Sequence, residues 1–301
     1  MQTQLCEPIG DTRRPMIYLI IAGVTNVVLN LIFVIVLHMD VAGVALATII
    51  SQIISAILIV RALMTLDGPC RLDIKALKIN KRIMGKIMKI GVPSGIGGTV
   101  ISFSNVTIQS TINSFGGIAM AGNAATANIE SFLWVALNAF GQGAMSFTGQ
   151  NYAAGKMDRI KKVALICSAL ATGVGILMSV IAIVFSHSLL SFYSSSEEVI
   201  KYGLIRVMYN FPLYFILGYT EVFGGMLKGM GRSLATTIMN LAAMCLFRIM
   251  WVFLIFPQDP RLENLYISYP VSWALVSVVH IIYFIYVYRK HKKTMVISPR
   301  I

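Results

Sequence analysis

The chain has 301 residues, 57% of them hydrophobic and only 12% charged, with a mean hydropathy of +0.77. An ordinary soluble domain carries roughly twice that charge, so the composition excludes one and points to a membrane protein. The net charge of +13 raises nucleic acid as a partner, but the cations are placed by topology rather than in one basic face, which excludes that use.

Apolar segments at 15–37, 41–65, 92–114, 123–147, 162–186, 203–226, 233–256 and 265–288 each approach or exceed the ~20 residues needed to cross a hydrocarbon core. The expected fold is therefore all-α and polytopic, with eight transmembrane helices. The N-terminus, Met1-Gln-Thr-Gln-Leu-Cys-Glu-Pro8, lacks the charged and apolar regions of a signal peptide. Assigning alternate connections to alternate sides puts 21 of the 25 Lys and Arg on one side. That is the positive-inside pattern, and it predicts a multi-pass protein of the plasma membrane with both termini cytoplasmic.

In chain order, Pro15 opens the first span behind Arg13 and Arg14, and Asn26 and Asn30 lie one turn apart within it. His38-Met-Asp40 is short enough to make the first two spans an antiparallel hairpin. Gly43, Ala45 and Ala47, with Ser51 and Ser55, suit close helix packing in the second. Residues 66–91 form a basic cytoplasmic linker whose 80–90 part reads as an amphipathic helix on the inner leaflet.

The next two spans are the informative ones. In 92–114, Gly98, Ser102, Asn105, Gln109 and Asn113 fall on one helical face. In 123–147, Glu130, Trp134, Asn138 and Gln142 recur every fourth residue. Lipid penalises bare amides and carboxylates, so these faces should meet protein or a wet cavity. Either they are hydrogen-bonding glue or they line a solute pathway, and two neighbouring stripes favour the pathway. A basic turn is expected over Gly149 to Lys162. Ser194 and Glu197 have capping-box spacing, Asn210-Phe-Pro212 should kink the sixth span, and Gly225 to Arg232 reads as a tight turn.

At ~1.5 Å per residue, Glu130 lies about 10 Å and Arg248 about 12 Å from the outer ends of their spans, so the two are expected to form a buried ion pair. Glu221, about 27 Å from its outer end, lines the inner part of a cavity or pairs with Lys228. Glu130 and Glu221 are the acids able to attract a cationic solute, with Trp134 and Tyr214 offering cation–π faces. His280 reads as a packing residue, and Cys6, Cys70, Cys167 and Cys245 as incidental ones. No nucleophile–base, paired-carboxylate or metal-ligand constellation stands out, so an enzyme, a cofactor and a metal site are not expected.

Gly10-Asp-Thr-Arg-Arg-Pro15, Gly43-Val-Ala-Leu-Ala-Thr-Ile-Ile-Ser-Gln52, Gly91-Val-Pro-Ser-Gly95, Gly149-Gln-Asn-Tyr-Ala-Ala-Gly155-Lys156 and Gly225-Met-Leu-Lys-Gly-Met-Gly231 occur in that order. Together they resemble the multidrug and toxic compound extrusion (MATE) family along essentially the whole chain. The resemblance implies a twelve-helix antiporter of two six-helix lobes that exports cationic amphiphiles in exchange for H+ or Na+. This chain resembles helices five to twelve: residues 1–65 a two-helix remnant of the N-lobe, 66–91 the linker and 92–301 a complete C-lobe. The first-helix aspartate used for coupling in the family has no counterpart here, and 92–114 carries no acid where one branch places a sodium-binding glutamate. Transport by this chain alone is therefore not expected. The alternatives are a related flippase for lipid-linked oligosaccharides or polysaccharides, and a transport-inactive membrane fragment. Membrane lipid, a cationic small molecule and a coupling cation are the expected partners.

Overall fold

The computed structural model describes residues 13–65, 72–73 and 80–297, and every regular element among them is helical. Cys6, Cys70, Gly10 to Thr12, and residues 66–71 and 74–79 of the expected linker lie outside the described residues. Five segments are long and apolar enough to cross a membrane: Met16–Val36, Asp40–Met64, Met157–Val184, Ser233–Gln258 and Leu262–Lys292. Of the other three expected spans, 92–114 and 123–147 fall on long helices that carry polar stripes, and 203–226 is divided between two shorter helices. The chain is an all-helical, multi-pass membrane protein that divides into two units, 1–82 and 83–301.

In the first unit, α1 (Arg13–Leu31) runs through a π-helical turn (Ile32–Val36) and pairs with α2 (Asp40–Met64). The buried face of α2 is Gly43, Ala47, Ser51 and Ser55, followed by Ile59 and Ala62, a small residue every fourth position. Ala45 is on the exposed side, contrary to expectation. Small side chains let the backbones close in: a Cβ on Gly43 would lie 2.9 Å from Phe33 Cβ. The two amides of α1 act as glue here. Asn26 Nδ2 donates to Ser51 Oγ at 3.3 Å, and Asn30 Nδ2 donates to Asn26 Oδ1 at 3.1 Å.

The boundary between the units falls in the first turn of α3 (Lys81–Asn113), an unbroken helix that joins the expected linker helix to the expected third span. Gly116, at φ 93°, turns the chain into α4 (Gly117–Ala153). There follow α5 (Met157–Val184), α6 (Ser186–Ser191) and α7 (Glu197–Asn210). The break expected at Pro212 is a 3-10 turn, Phe211–Leu213, which leads to α8 (Phe215–Gly229). Next is a distorted span. Its regular parts, α9 (Ser233–Asn240) and α10 (Phe247–Met250), are separated and followed by π-helical segments. The last helix is α11 (Leu262–Ile297). Just before it, Arg261 bonds Asp259 at 2.6 Å and holds that carboxyl below its ordinary range.

α4 is the centre of this unit, packed against α5, α7 and α8. Its buried face is apolar at Leu133 and Leu137 and meets Val207, Phe211, Val222 and Met226. Three expectations fail locally. α4 continues through Gly149, so the turn shrinks to Ala154–Lys156, with Gly155 at φ 72°. α8 continues through Gly225 to Gly229, because those glycines are needed for packing on α4, and only Gly231 turns, at φ 76°. Ser196 rather than Ser194 stands at the N-cap position of α7, without a side-chain cap bond, and Ser194 Oγ accepts from the Ser196 N–H at 3.2 Å.

Candidate functional site

A polar network runs through the second unit from α3 to the core. It starts on the exposed side of α3, where Gln109 Nε2 donates to Asn113 Oδ1 at 2.9 Å. Asn123 of α4 donates to Gln109 Oε1 at 3.2 Å, and its own Oδ1 accepts from Arg206 of α7 and from the Tyr266 hydroxyl at 3.3 Å. Arg206 forms an ion pair with Glu130. Asn210 Nδ2 donates to the other Glu130 oxygen at 3.0 Å, and the Tyr214 hydroxyl donates to the Glu130 backbone carbonyl at 3.2 Å.

Helix geometry explains the assembly. Asn123 and Glu130 are seven residues apart on α4, and Arg206 and Asn210 are four apart on α7, so each pair shares a face. Gly122 lets α7 approach, since a Cβ there would lie 2.6 Å from the Val199 carbonyl oxygen. Glu130 and Arg206 are 8% and 6% exposed, so each needs the other's charge. The Arg206 guanidinium also lies over the rings of Tyr266 and Tyr269, at 5.8 and 5.3 Å from their centroids.

The expected Glu130–Arg248 pair is not formed. Arg206, at a comparable depth on α7, takes the carboxylate. Arg248 donates from Nε to Ser272 Oγ at 2.8 Å and stacks on Tyr269 at 4.3 Å. A second polar pair sits between α4 and α8: Asn138 Nδ2 donates to Glu221 Oε2 at 2.8 Å, and both residues are half-buried. Among the described residues Glu221 has no cationic partner, Lys228 included.

The other candidates separate from these two groups. Asn105 is exposed on α3, Trp134 is 46% exposed on α4, and Gln142 is half-buried. Tyr214 offers no free ring face: it is 3% exposed and packs edge-on against Trp273 at 5.1 Å. The rings that meet cations are Tyr266 and Tyr269, and the cations are the protein's own arginines. His280 is fully buried, with Nδ1 3.3 Å from the Thr220 carbonyl. Sequence reasoning missed Arg206, Asn123, Asn210, Tyr266 and Tyr269. The i, i+4 spacing of Arg206 and Asn210 inside the expected span 203–226 was the available signal.

Residues 93–254 match the MatE family. The probable multidrug resistance protein YoeA of Bacillus subtilis is 23% identical over 298 residues, which is 96% of this chain and 64% of YoeA. The multidrug export protein MepA of Staphylococcus haemolyticus is 22% identical over 79% of this chain and 53% of its own length. Among solved structures, a MOP superfamily transporter from Pyrococcus furiosus superposes with a TM-score of 0.84 at 17% identity, covering 94% of this chain and 64% of that one. The bent form of the Vibrio cholerae MATE transporter VcmN gives 0.80 at 18%, covering 96% and 66%. The chain thus spans between about half and two thirds of the length of these relatives.

Proposed function

Because this chain belongs to the MatE family, we propose that it forms the larger part of a cation-coupled antiporter of the multidrug efflux type. Residues 92–301 would be its C-lobe, 1–65 two helices of the other lobe and 66–91 the connection between them. Cationic amphiphiles would be exported in exchange for H+ or Na+, with both termini in the cytoplasm. The names of YoeA and MepA support the efflux reading. The observation that carries it is Glu221. This acid lies within a span, half-buried, held by one amide and not neutralised by any described cation. Such an acid suits a cation that must be bound and then released, whereas Glu130 is already neutralised by Arg206. That internal pairing also disfavours a basic cavity for an anionic lipid-linked saccharide.

Ethidium efflux from cells under an imposed ion gradient tests the reading. Efflux is expected when four further helices precede this chain, and none from the chain alone. In the extended protein, Glu221→Gln should lower efflux about tenfold, equivalent to roughly 1.4 kcal/mol, with expression unchanged. Efflux unaffected by that substitution would remove Glu221 from the pathway.

A further inference from the structure

Three Asp, Glu, Lys or Arg side chains are buried among the described residues: Glu130, Arg206 and Arg248, at 8%, 6% and 6% exposure. They do not balance. Glu130 Oε2 pairs with Arg206 and Oε1 accepts from Asn210, so the buried carboxylate is engaged away from Arg248. No other carboxylate of the described residues forms an ion pair with Arg248, and Glu221 is held by Asn138 instead. A guanidinium cannot shed its proton to escape the imbalance. The buried cluster thus carries one positive charge more than it has negative ones, which is strongly unfavourable without a counter-ion.

The protein supplies part of what Arg248 needs. Nε donates to Ser272 Oγ at 2.8 Å, and the Ser272 hydroxyl donates on to the Tyr269 carbonyl at 2.7 Å. The guanidinium lies on the Tyr269 ring at 4.3 Å, a ring it shares with Arg206 at 5.3 Å. The far edge of the guanidinium is left over. Nη2 is buried with no protein partner, and Nη1 makes no hydrogen bond to any described residue. Two N–H groups on one edge of a stacked and anchored guanidinium form the fork from which a single anion accepts. Arg248 also stands on one α-helical turn, α10, between two π-helical segments, and widened turns of that kind collect at functional sites.

We propose that Arg248 is the binding site of a small monovalent anion, a halide or a carboxylate, held by the free edge of the guanidinium. One such ion makes the group of two arginines, Glu130 and the anion neutral. A divalent anion would reverse the imbalance rather than remove it. The transport reading rests on Glu221, so the anion site stands or falls separately.

The test is equilibrium dialysis of the full chain, purified in detergent, against radiolabelled chloride, with a bulky sulfonate buffer holding the ionic strength. Saturable binding of about one chloride per chain is expected from the charge count, and none with Arg248→Gln. Arg248→Lys keeps the charge and loses the fork, so it should bind about tenfold more weakly. Arg261→Gln removes an exposed arginine already paired with Asp259 and should bind as the parent does. Displacement by acetate at lower concentration than by unlabelled chloride makes the preferred occupant a carboxylate, and the reverse order a halide; both keep the site. No saturable binding in the unsubstituted chain would overturn it, without any variant having to fold. Binding that Arg248→Gln leaves intact would overturn it too.

Discussion

Arg206→Met, with Glu130 left in place, should cost about 3–5 kcal/mol of stability, the usual penalty for stranding one member of a buried ion pair. The loss would appear as a lower melting temperature in detergent and a smaller yield of monodisperse protein. Glu130→Gln should cost nearly as much, because it leaves the guanidinium buried with only Asn123 and the two tyrosine rings for company. The double variant should recover a large part of the loss, since a buried pair contributes little beyond its apolar replacement. Pairing Glu130→Gln with Arg248→Met should instead give additive losses, because Arg248 is held by Ser272 and Tyr269. Additive losses at Glu130 and Arg206, or coupled ones at Glu130 and Arg248, would restore the partnership expected from the sequence.

That misassigned partner shows where the sequence stopped being readable. Depth along a helix can be counted, so a deep arginine near Glu130 was predictable. Which of two arginines reached it depended on how α7 and α10 are rotated, and no periodicity fixes that. Charge alternation assigns cations to sides, not to depths, so nothing in it marks Arg206 as a deep residue. The structure starts α7 at Glu197, which puts Arg206 about 14 Å into the helix at ~1.5 Å per residue.

The α4 stripe failed for a different reason. Counting in fours drifts about 40° per step on a helix of 3.6 residues per turn. Glu130 and Gln142 therefore differ by about 120° and cannot share one environment. The buried face runs instead through Asn123, Thr126, Glu130, Leu133, Leu137 and Gly141, in steps of three and four. Unbroken apolar runs made the hairpin of α1 and α2 legible. On α3 the spacing of the polar residues was legible, but Asn105 and Gln109 lie exposed where protein or a wet cavity was expected. The role of Gln109 was not, because its partner Asn123 lies on another helix.

Gly225→Ala should damage the protein more than its single added methyl suggests. A Cβ at that position would lie 2.2 Å from the Gly141 carbonyl oxygen and 3.0 Å from its carbon. Both are backbone atoms of α4, so no rotamer change relieves the clash, and the helices must separate. Gly229 meets the Met145 carbonyl in the same way, at 2.4 Å, and Gly141 meets that of Glu221 at 2.8 Å. These three glycines set the spacing of α4 and α8 over two turns. The helix-propensity gain of about 1 kcal/mol from Gly to Ala is outweighed by overpacking, typically ~1–3 kcal/mol and more where backbone must move. Separation would also stretch the 2.8 Å bond between Asn138 and Glu221, one turn away on the same pair of helices. Gly225→Ala is thus expected to lower both melting temperature and, in the extended protein, efflux. Gly173→Ala on α5, where a Cβ meets nothing within 4 Å, should leave both unchanged or slightly raise stability. Equal melting temperatures for the two variants would show that α4 and α8 do not approach this closely, and the Asn138–Glu221 contact would fall with that result.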